Sequence, residues 1–266
     1  MVREYSTLFT GTILSTVHFH FSKTEVAIST NALPLSLPDE ERSSIEEHWR
    51  KVNADGRFFN GPVLAATQVE LSDAPAIRIS TSDYAHYLYS NAHPLGTPCR
   101  AVYCAAVIIT CDNYLLLGQM ASTTSSPGRI QFVGGNVEIA KDGTIDSREC
   151  CEREVTEEVG AQFLNSATDF TPLCIKTGGK GDHVGVFYRL HLNLTASEAR
   201  SAFADHLAAL RARNENPELP RIHLMELQSE TVRDFCARHA GQMVDYLSPL
   251  LTNHSHHLAI REPKST

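Results

Sequence analysis

Three carboxylates, Glu154, Glu157 and Glu158, stand at i, i+3 and i+4 in one charged run near the middle of the chain. At about 100° per residue, that spacing gathers them on one side of a helix. Like charges so placed cost roughly a few tenths of a kcal/mol per pair, so something has to compensate. Hard divalent cations with oxygen ligands do so directly, and Mg2+ or Mn2+ held there would also attract phosphate oxygens. A solvated acidic face steadied by Arg148 and Arg153 is the competing structural reading, and the helix alone favours it.

The elements that must position these groups follow from the flanking pattern. Residues 147–159 form the expected helix, with Asp146 and Glu149 as a capping box and Gly160 as the left-handed residue that ends it. Cys151, Val155 and Val159 make an apolar stripe that can dock the helix on a sheet. Residues 101–110 and 114–117 read as strands joined by Cys111-Asp112-Asn113 in a hairpin. A polar loop leads to residues 130–133 and to Gly134-Gly135. Residues 184–194 alternate as a strand, and residues 196–213 and 232–251 read as helices.

Before this region, residues 16–28 alternate, with Val17, Phe19 and Phe21 on one side and His18, His20 and Ser22 on the other. A helix opens after Pro38 with acidic residues and closes on Arg50 and Lys51, the charge order its dipole favours. Asn60-Gly61-Pro62 marks a turn before strands at 63–71 and 76–80, and residues 83–90 read as a short helix. Residues 93–98 are the best boundary. They separate an extension over 1–98, which could shape the substrate pocket, from a domain over 99–266. Mixed strands and helices indicate a layered α/β or α+β fold.

The chain has 266 residues, with 23 Lys and Arg against 31 Asp and Glu, a net charge of −8. Such a surface disfavours duplex nucleic acid and anionic membranes. No apolar run approaches the ~18 residues of a membrane span, and the N-terminus lacks the apolar core and cleavage site of a signal peptide. Seven cysteines form no CxxC pair or regular framework, so reduced thiols in a cytoplasmic protein are expected.

Gly134-Gly135-Asn136-Val137-Glu138, followed by Arg153-Glu154-Val155-Thr156-Glu157-Glu158-Val159-Gly160, resembles the signature of the Nudix hydrolases over 27 residues. The resemblance implies an α/β/α sandwich with a mixed sheet and a cation-dependent hydrolase of a diphosphate linkage. It makes Glu154, Glu157 and Glu158 metal ligands for Mg2+ or Mn2+, one of which assists deprotonation of the attacking water. The Gly135 carbonyl falls where the family offers a further ligand, and Arg153 orients the glutamates. The implied substrate is a small-molecule diphosphate, a nucleoside diphosphate joined to another group such as a UDP-sugar, and a homodimer is left open. The extension is loosely similar to that of UDP-sugar pyrophosphatase-like members.

The sequence also departs from that signature. The Glu expected eight residues before Arg153 is Ile145, and the loop is about four residues longer than usual. Val133 stands where the family commonly has Pro. Glu138, Asp142 and Asp146 are candidate replacements for the missing carboxylate, Asp146 being engaged as a cap. The loss motivates a second reading, a ligand-binding module with little or no catalysis. Hydrolysis of a prenyl or specialised-metabolite diphosphate is another alternative. Isomerisation is disfavoured, because His93-Pro94-Leu95 lacks the Cys that chemistry needs.

Further candidates surround the signature. Arg129, in the loop SSPGRIQ, could bind a phosphate or a surface carboxylate equally well. His183 could serve as an acid or base near neutral pH, although a lone His is more often structural. Tyr84 or Tyr87 could stack on a substrate ring or simply pack the extension. Gly178-Gly179-Lys180-Gly181 lacks P-loop spacing and reads as a turn. Cys150 is expected to pack. His254, His256 and His257 read as a mobile tail.

Overall fold

The computed structural model describes residues 15–31, 33–56, 58–124 and 126–258. The N-terminal stretch read for a leader lies largely outside the described residues, as does Ser125 of the SSPGRIQ loop.

A seven-stranded mixed sheet organises the molecule. It contains β1 (Ser15–Phe21), β5 (Val102–Ile109), β6 (Tyr114–Gln119), β7 (Ile130–Gln131), β8 (Ala167–Gly179), β9 (Val184–Leu192) and β10 (Arg221–Glu226). The order is β1-β8-β9-β5-β6-β10, with β7 paired to β6. β5 and β9 run parallel and the other pairs are antiparallel. A smaller sheet joins β2 (Ala27–Thr30), β4 (Ala76–Asp83) and β3 (Pro62–Glu70) in that order. A bridge between Ala65 and Ala101 links β3 to the start of β5.

β5 is a continuous apolar run because both of its faces are covered. Val102, Cys104, Ala106 and Ile108 enter one core with α3 (Ser147–Glu158), α4 (Ala161–Asn165) and α5 (Ala196–Ala212). Ala105, Val107 and Ile109 enter the other with α6 (Ser229–His239) and α7 (Leu247–His254). The result is an α/β/α sandwich. α1 (Asp39–Val52) and α2 (Tyr84–Ala92) pack together beside the smaller sheet.

Several elements differ from the sequence reading. Residues 16–28 form two strands in different sheets, parted at Ser22–Val26. β8 and β10 were not expected: β8 carries Pro172 and register shifts that interrupt its alternation. The single helix read over 232–251 is two, α6 and α7, broken around Gly241. The capping box lies at Thr195 and Glu198 of α5, whereas at α3 Asp146 alone caps, accepting from Arg148 N and Glu149 N. Gly160 has φ +108° and ψ 150°, a glycine conformation but an extended one. His254 and His257 are no tail; His257 stacks on Phe21 at 3.7 Å and His254 packs on Phe19. All seven cysteines are free, six of them buried, Cys150 included.

The extension is fastened to the start of α3. Glu25 pairs with the Arg148 guanidinium and accepts from Tyr188 Oη at 3.0 Å. Ser147 Oγ meets the same hydroxyl at 2.8 Å, and Arg148 lies over the Phe170 and Tyr188 rings. Arg148 is therefore an anchor of the helix N-terminus and not a partner of the downstream carboxylates.

Candidate functional site

The site forms where β5 and β6 diverge. Their pairing is confined to Ile108–Leu116 and Ile109–Leu115. Below it, the segment after β7 fills the gap, bridging Ala106 to Val133 and Tyr103 to Asn136. Gly134 and Gly135 are held inside this wedge. A Cβ at Gly134 would lie 2.2 Å from Cys104 O, and Gly134 has φ +155°. A Cβ at Gly135 would lie 2.6 Å from the Glu154 carboxylate. The first glycine admits a backbone and the second admits a functional side chain.

α3 brings its carboxylates to this edge unequally. Its stripe of Cys151, Val155 and Val159 is fully buried against the sheet, which fixes the helix rotation. Glu158 is 4% exposed, and its Oε2 accepts the Gly134 N–H at 2.8 Å. Glu154 has a side chain 16% exposed, while that of Glu157 is 62% exposed. The spacing that suggested a single face therefore yields two inward groups and one at the rim.

Arg153 knits the carboxylates together. It reaches Glu138 Oε2 at 2.9 Å, Glu154 Oε1 at 3.2 Å and Glu157 Oε1 at 3.9 Å. Burial pushes the Glu154 carboxyl above its ordinary range, with Glu157 and Glu218 adding repulsion and Arg153 opposing it. Burial pushes Glu158 well above as well, against the Gly134 hydrogen bond and with repulsion from Glu154 and Glu218. Two buried carboxylates resisting ionisation are a site short of positive charge.

A cavity of about 740 Å³ opens over these groups. Of the residues singled out from sequence, Glu154, Glu138, Gly135, Arg129 and His183 line it. Glu157, Glu158, Arg153 and Tyr84 are not in its wall. Arg129 donates to Gly241 O at 3.2 Å, and no ion pair among the described residues engages it. The Gly135 carbonyl accepts Cys104 N at 2.9 Å, so it serves as a sheet partner of β5.

Tyr84 sits inside the extension, against Trp49, Phe58 and Tyr87. Tyr87 lines the cavity, and its ring stacks with both Tyr84 and His183. Both tyrosines thus take part in the packing of the extension. Desolvation lowers His183 to a pKa of about 4, so it is neutral at physiological pH and unsuited to proton transfer there.

Of the three candidate substitutes for the missing carboxylate, Glu138 alone lines the cavity. Asp142 is occupied by Thr144 and Asp146 by the helix cap. Ile145 packs against the core, so its position is committed to folding. Sequence reasoning missed Glu218, which lines the cavity and acts on both Glu154 and Glu158. It lies in an irregular segment, placed by Ala121 N donating to Glu218 O at 2.8 Å and by Leu219 packing over Gly118. Lys176, also unanticipated, is buried in the wall and donates to Gly178 O at 2.6 Å and His183 O at 3.1 Å.

Carboxylate oxygens are the donor type that a hard divalent cation takes. Among the described residues no three His, Cys, Asp or Glu side chains are placed to hold a metal ion together. Glu154 and Glu218 line the cavity, Glu158 lies buried behind them, and burial, then Glu154 and Glu218, raise the Glu158 carboxyl.

No protein-family model and no curated protein matches the chain. Solved structures do resemble it. DR0079 from Deinococcus radiodurans is similar over 72% of this chain and 97% of that one, at 14% identity and a TM-score of 0.43. A bifunctional NMN adenylyltransferase/ADP ribose pyrophosphatase from Francisella tularensis, complexed with AMP and a Mn ion, matches 59% of this chain at 12% identity and a TM-score of 0.37; the match spans 42% of that protein's length. RenU, a Nudix hydrolase from M. smegmatis, matches 46% of this chain and 92% of its own, at 16% identity and a TM-score of 0.22. No described helix is long and apolar enough to cross a membrane.

Proposed function

We propose that this chain is a Nudix-type hydrolase that cleaves a diphosphate linkage in a nucleoside diphosphate joined to another group, with Mg2+ or Mn2+ as cofactor. The observation that carries this reading is the fit of the glycine pair to the glutamates. Gly134 donates to Glu158, and Gly135 lacks the Cβ that would collide with Glu154. Two separate pieces of the signature thus meet at one cavity edge, which a merely solvated acidic helix face does not require.

In this reading Glu154, Glu157 and Glu158 hold the cation, with Glu218 contributing charge. When bound, such a cation lowers the pKa of water and neutralises diphosphate charge. Arg153 binds Glu154 Oε1, which leaves Oε2 to accept a proton from an attacking water. The raised pKa of Glu154 suits that role. Arg129 is the phosphate contact, since its guanidinium is not taken by a carboxylate. Glu138 keeps Arg153 in place, and His183 shapes the cavity as a neutral group. Within the extension at 1–98, α2 supplies Tyr87, Leu88 and Asn91 to the wall of a cavity otherwise built by the domain at 99–266.

A panel of diphosphate esters incubated with Mg2+ or Mn2+ tests this reading, with phosphate-containing products followed. Cleavage that disappears in Glu158→Gln supports it; no cleavage of any ester overturns it. The packing of Ile145 in place of a signature carboxylate favours a second reading, a binding module. Tight ester binding without product selects that one.

A further inference from the structure

Two polar atoms in the cavity wall have no partner. Tyr103 Oη and His183 Nδ1 are buried, and neither makes a hydrogen bond. Both residues line the cavity: Tyr103 lies on β5 opposite Gly185 of β9, and His183 is the residue just before β9. Gly185 matters here, because a Cβ would stand 2.8 Å from the Tyr103 hydroxyl. Buried polar groups are almost always paired, so two orphans in one wall mark the place of a missing partner.

The chemistry of that partner follows from the two atoms. Asn91 Nδ2 donates to Tyr87 O at 3.1 Å, which leaves its Oδ1 to accept from His183 Nε2 at 2.9 Å. The proton of His183 is therefore on Nε2, and Nδ1 presents a lone pair. Tyr103 is kept neutral by burial and has a proton to give. A donor and an acceptor in one wall suit a hydroxyl-bearing group, whose hydroxyls accept from the first and donate to the second.

The surroundings of this end carry both signs of charge. Lys176 lies 3.9 Å from Asp245, and the two offset each other. His183 feels Lys176, Asp245, Asp182 and Lys180, whereas Glu154 feels Arg153, Glu157 and Glu218. The cavity thus has a carboxylate end and a separate end whose wall is shared by Lys176, Lys180 and Asp245.

We infer that this second end is a subsite for an uncharged, hydroxyl-bearing group of the substrate, read by Tyr103 and His183, and not for an apolar chain. The inference rests on the diphosphate reading above and narrows its substrate class. It disfavours prenyl diphosphates, which offer no hydroxyl to either atom.

The test compares UDP-glucose with the n-hexyl ester of UDP, which carries the same nucleotide on an apolar chain. Calorimetric binding is measured for the wild type and for Tyr103→Phe, and product formation with Mn2+ is followed separately. The wild type is expected to bind the sugar ester at least about tenfold more tightly. Tyr103→Phe should erase most of that preference, weaken only the sugar ester, and melt no lower than the wild type, since it removes an unpaired hydroxyl. Equal binding of the two esters, binding of neither, or a preference untouched by Tyr103→Phe overturns the subsite. A retained preference with no product from either ester leaves the subsite standing and sinks the hydrolase reading. Cleavage of both esters with no preference does the reverse. A crystal structure with UDP-glucose in which the sugar touches neither Tyr103 nor His183 also overturns it.

Discussion

Glu158 Oε2 accepts the Gly134 N–H at 2.8 Å, joining the last turn of α3 to the loop that follows β7. This bond separates the structural use of Glu158 from its charge. Gln at this position still offers an oxygen to Gly134, whereas Ala leaves a buried N–H unpaired, at about 1–3 kcal/mol. Burial holds the Glu158 carboxyl well above its ordinary range, so ionised Glu158 opposes folding at neutral pH. Glu158→Gln is expected to melt at or above the wild type without cation and to lose about 100-fold or more in turnover. Glu158→Ala should lose turnover and melt lower. Thermal unfolding beside a product assay distinguishes them; full turnover in Glu158→Gln would remove it from the site.

The glycine pair divides fold from function at adjacent positions. Gly134→Ala drives a Cβ into Cys104 O, a backbone atom that cannot step aside, so loss of soluble protein or a marked fall in melting temperature is expected. Gly135→Ala meets the Glu154 carboxylate, which can swing away. It should remain folded yet lose about 100-fold in turnover, the order expected when a reacting group moves by an ångström. Circular dichroism melts and kcat for the two variants check this contrast. Equal damage from both would contradict it.

Local chemistry made some of this architecture readable. The signature helix, the β5–β6 hairpin and α5 carry their own caps, turns or periodicity, and each was placed within a few residues. β8 escaped because Pro172, Gly178 and Gly179 break its alternation while long-range pairing with β1 and β9 sustains it. Glu218 escaped for a related reason, since the pairing of β10 with β6 carries it to the cavity and no adjacent residue announces it. Helical spacing alone could not show that Glu157 faces outward. That depends on how deeply Cys151 and Val155 seat the helix. Stacking on a substrate and packing of the extension stayed open for Tyr84 and Tyr87, because the contact of Tyr87 in α2 with His183 joins distant segments that no local pattern links.

Arg153 contacts three carboxylates through different nitrogens, a task that depends on the planar fork of its guanidinium. Lys supplies the charge without the fork. Arg153→Lys is expected to lower kcat about tenfold with little change in KM, because it misplaces Glu154 without touching substrate. Its pairs with Glu138 and Glu157 are solvent-exposed, so stability should move by less than about 1 kcal/mol. Steady-state kinetics on the cleaved ester provide the check. A rise in KM at constant kcat would instead make Arg153 a substrate contact.

His183 should give the protein a measurable acid sensitivity. Desolvation and the neighbouring Lys176 and Lys180 disfavour its charged form, against Asp245 and Asp182, and bring its pKa from 6.5 to about 4. Between those values the unfolded chain binds a proton at this position and the folded chain does not, so stability rises with pH across that window. The contribution is fully present above pH 6.5 and is lost as the pH falls towards 4, to a maximum of roughly 3 kcal/mol. Glu154 and Glu158 act in the opposite sense, since protonation favours their folded form, but they are common to wild type and variant. His183→Gln is neutral at every pH, so subtracting its unfolding free energy from that of the wild type isolates the histidine. The difference should slope upward from pH 4 to 6.5 and flatten above. A difference that stays constant across the window would mean that His183 is not held neutral by its surroundings.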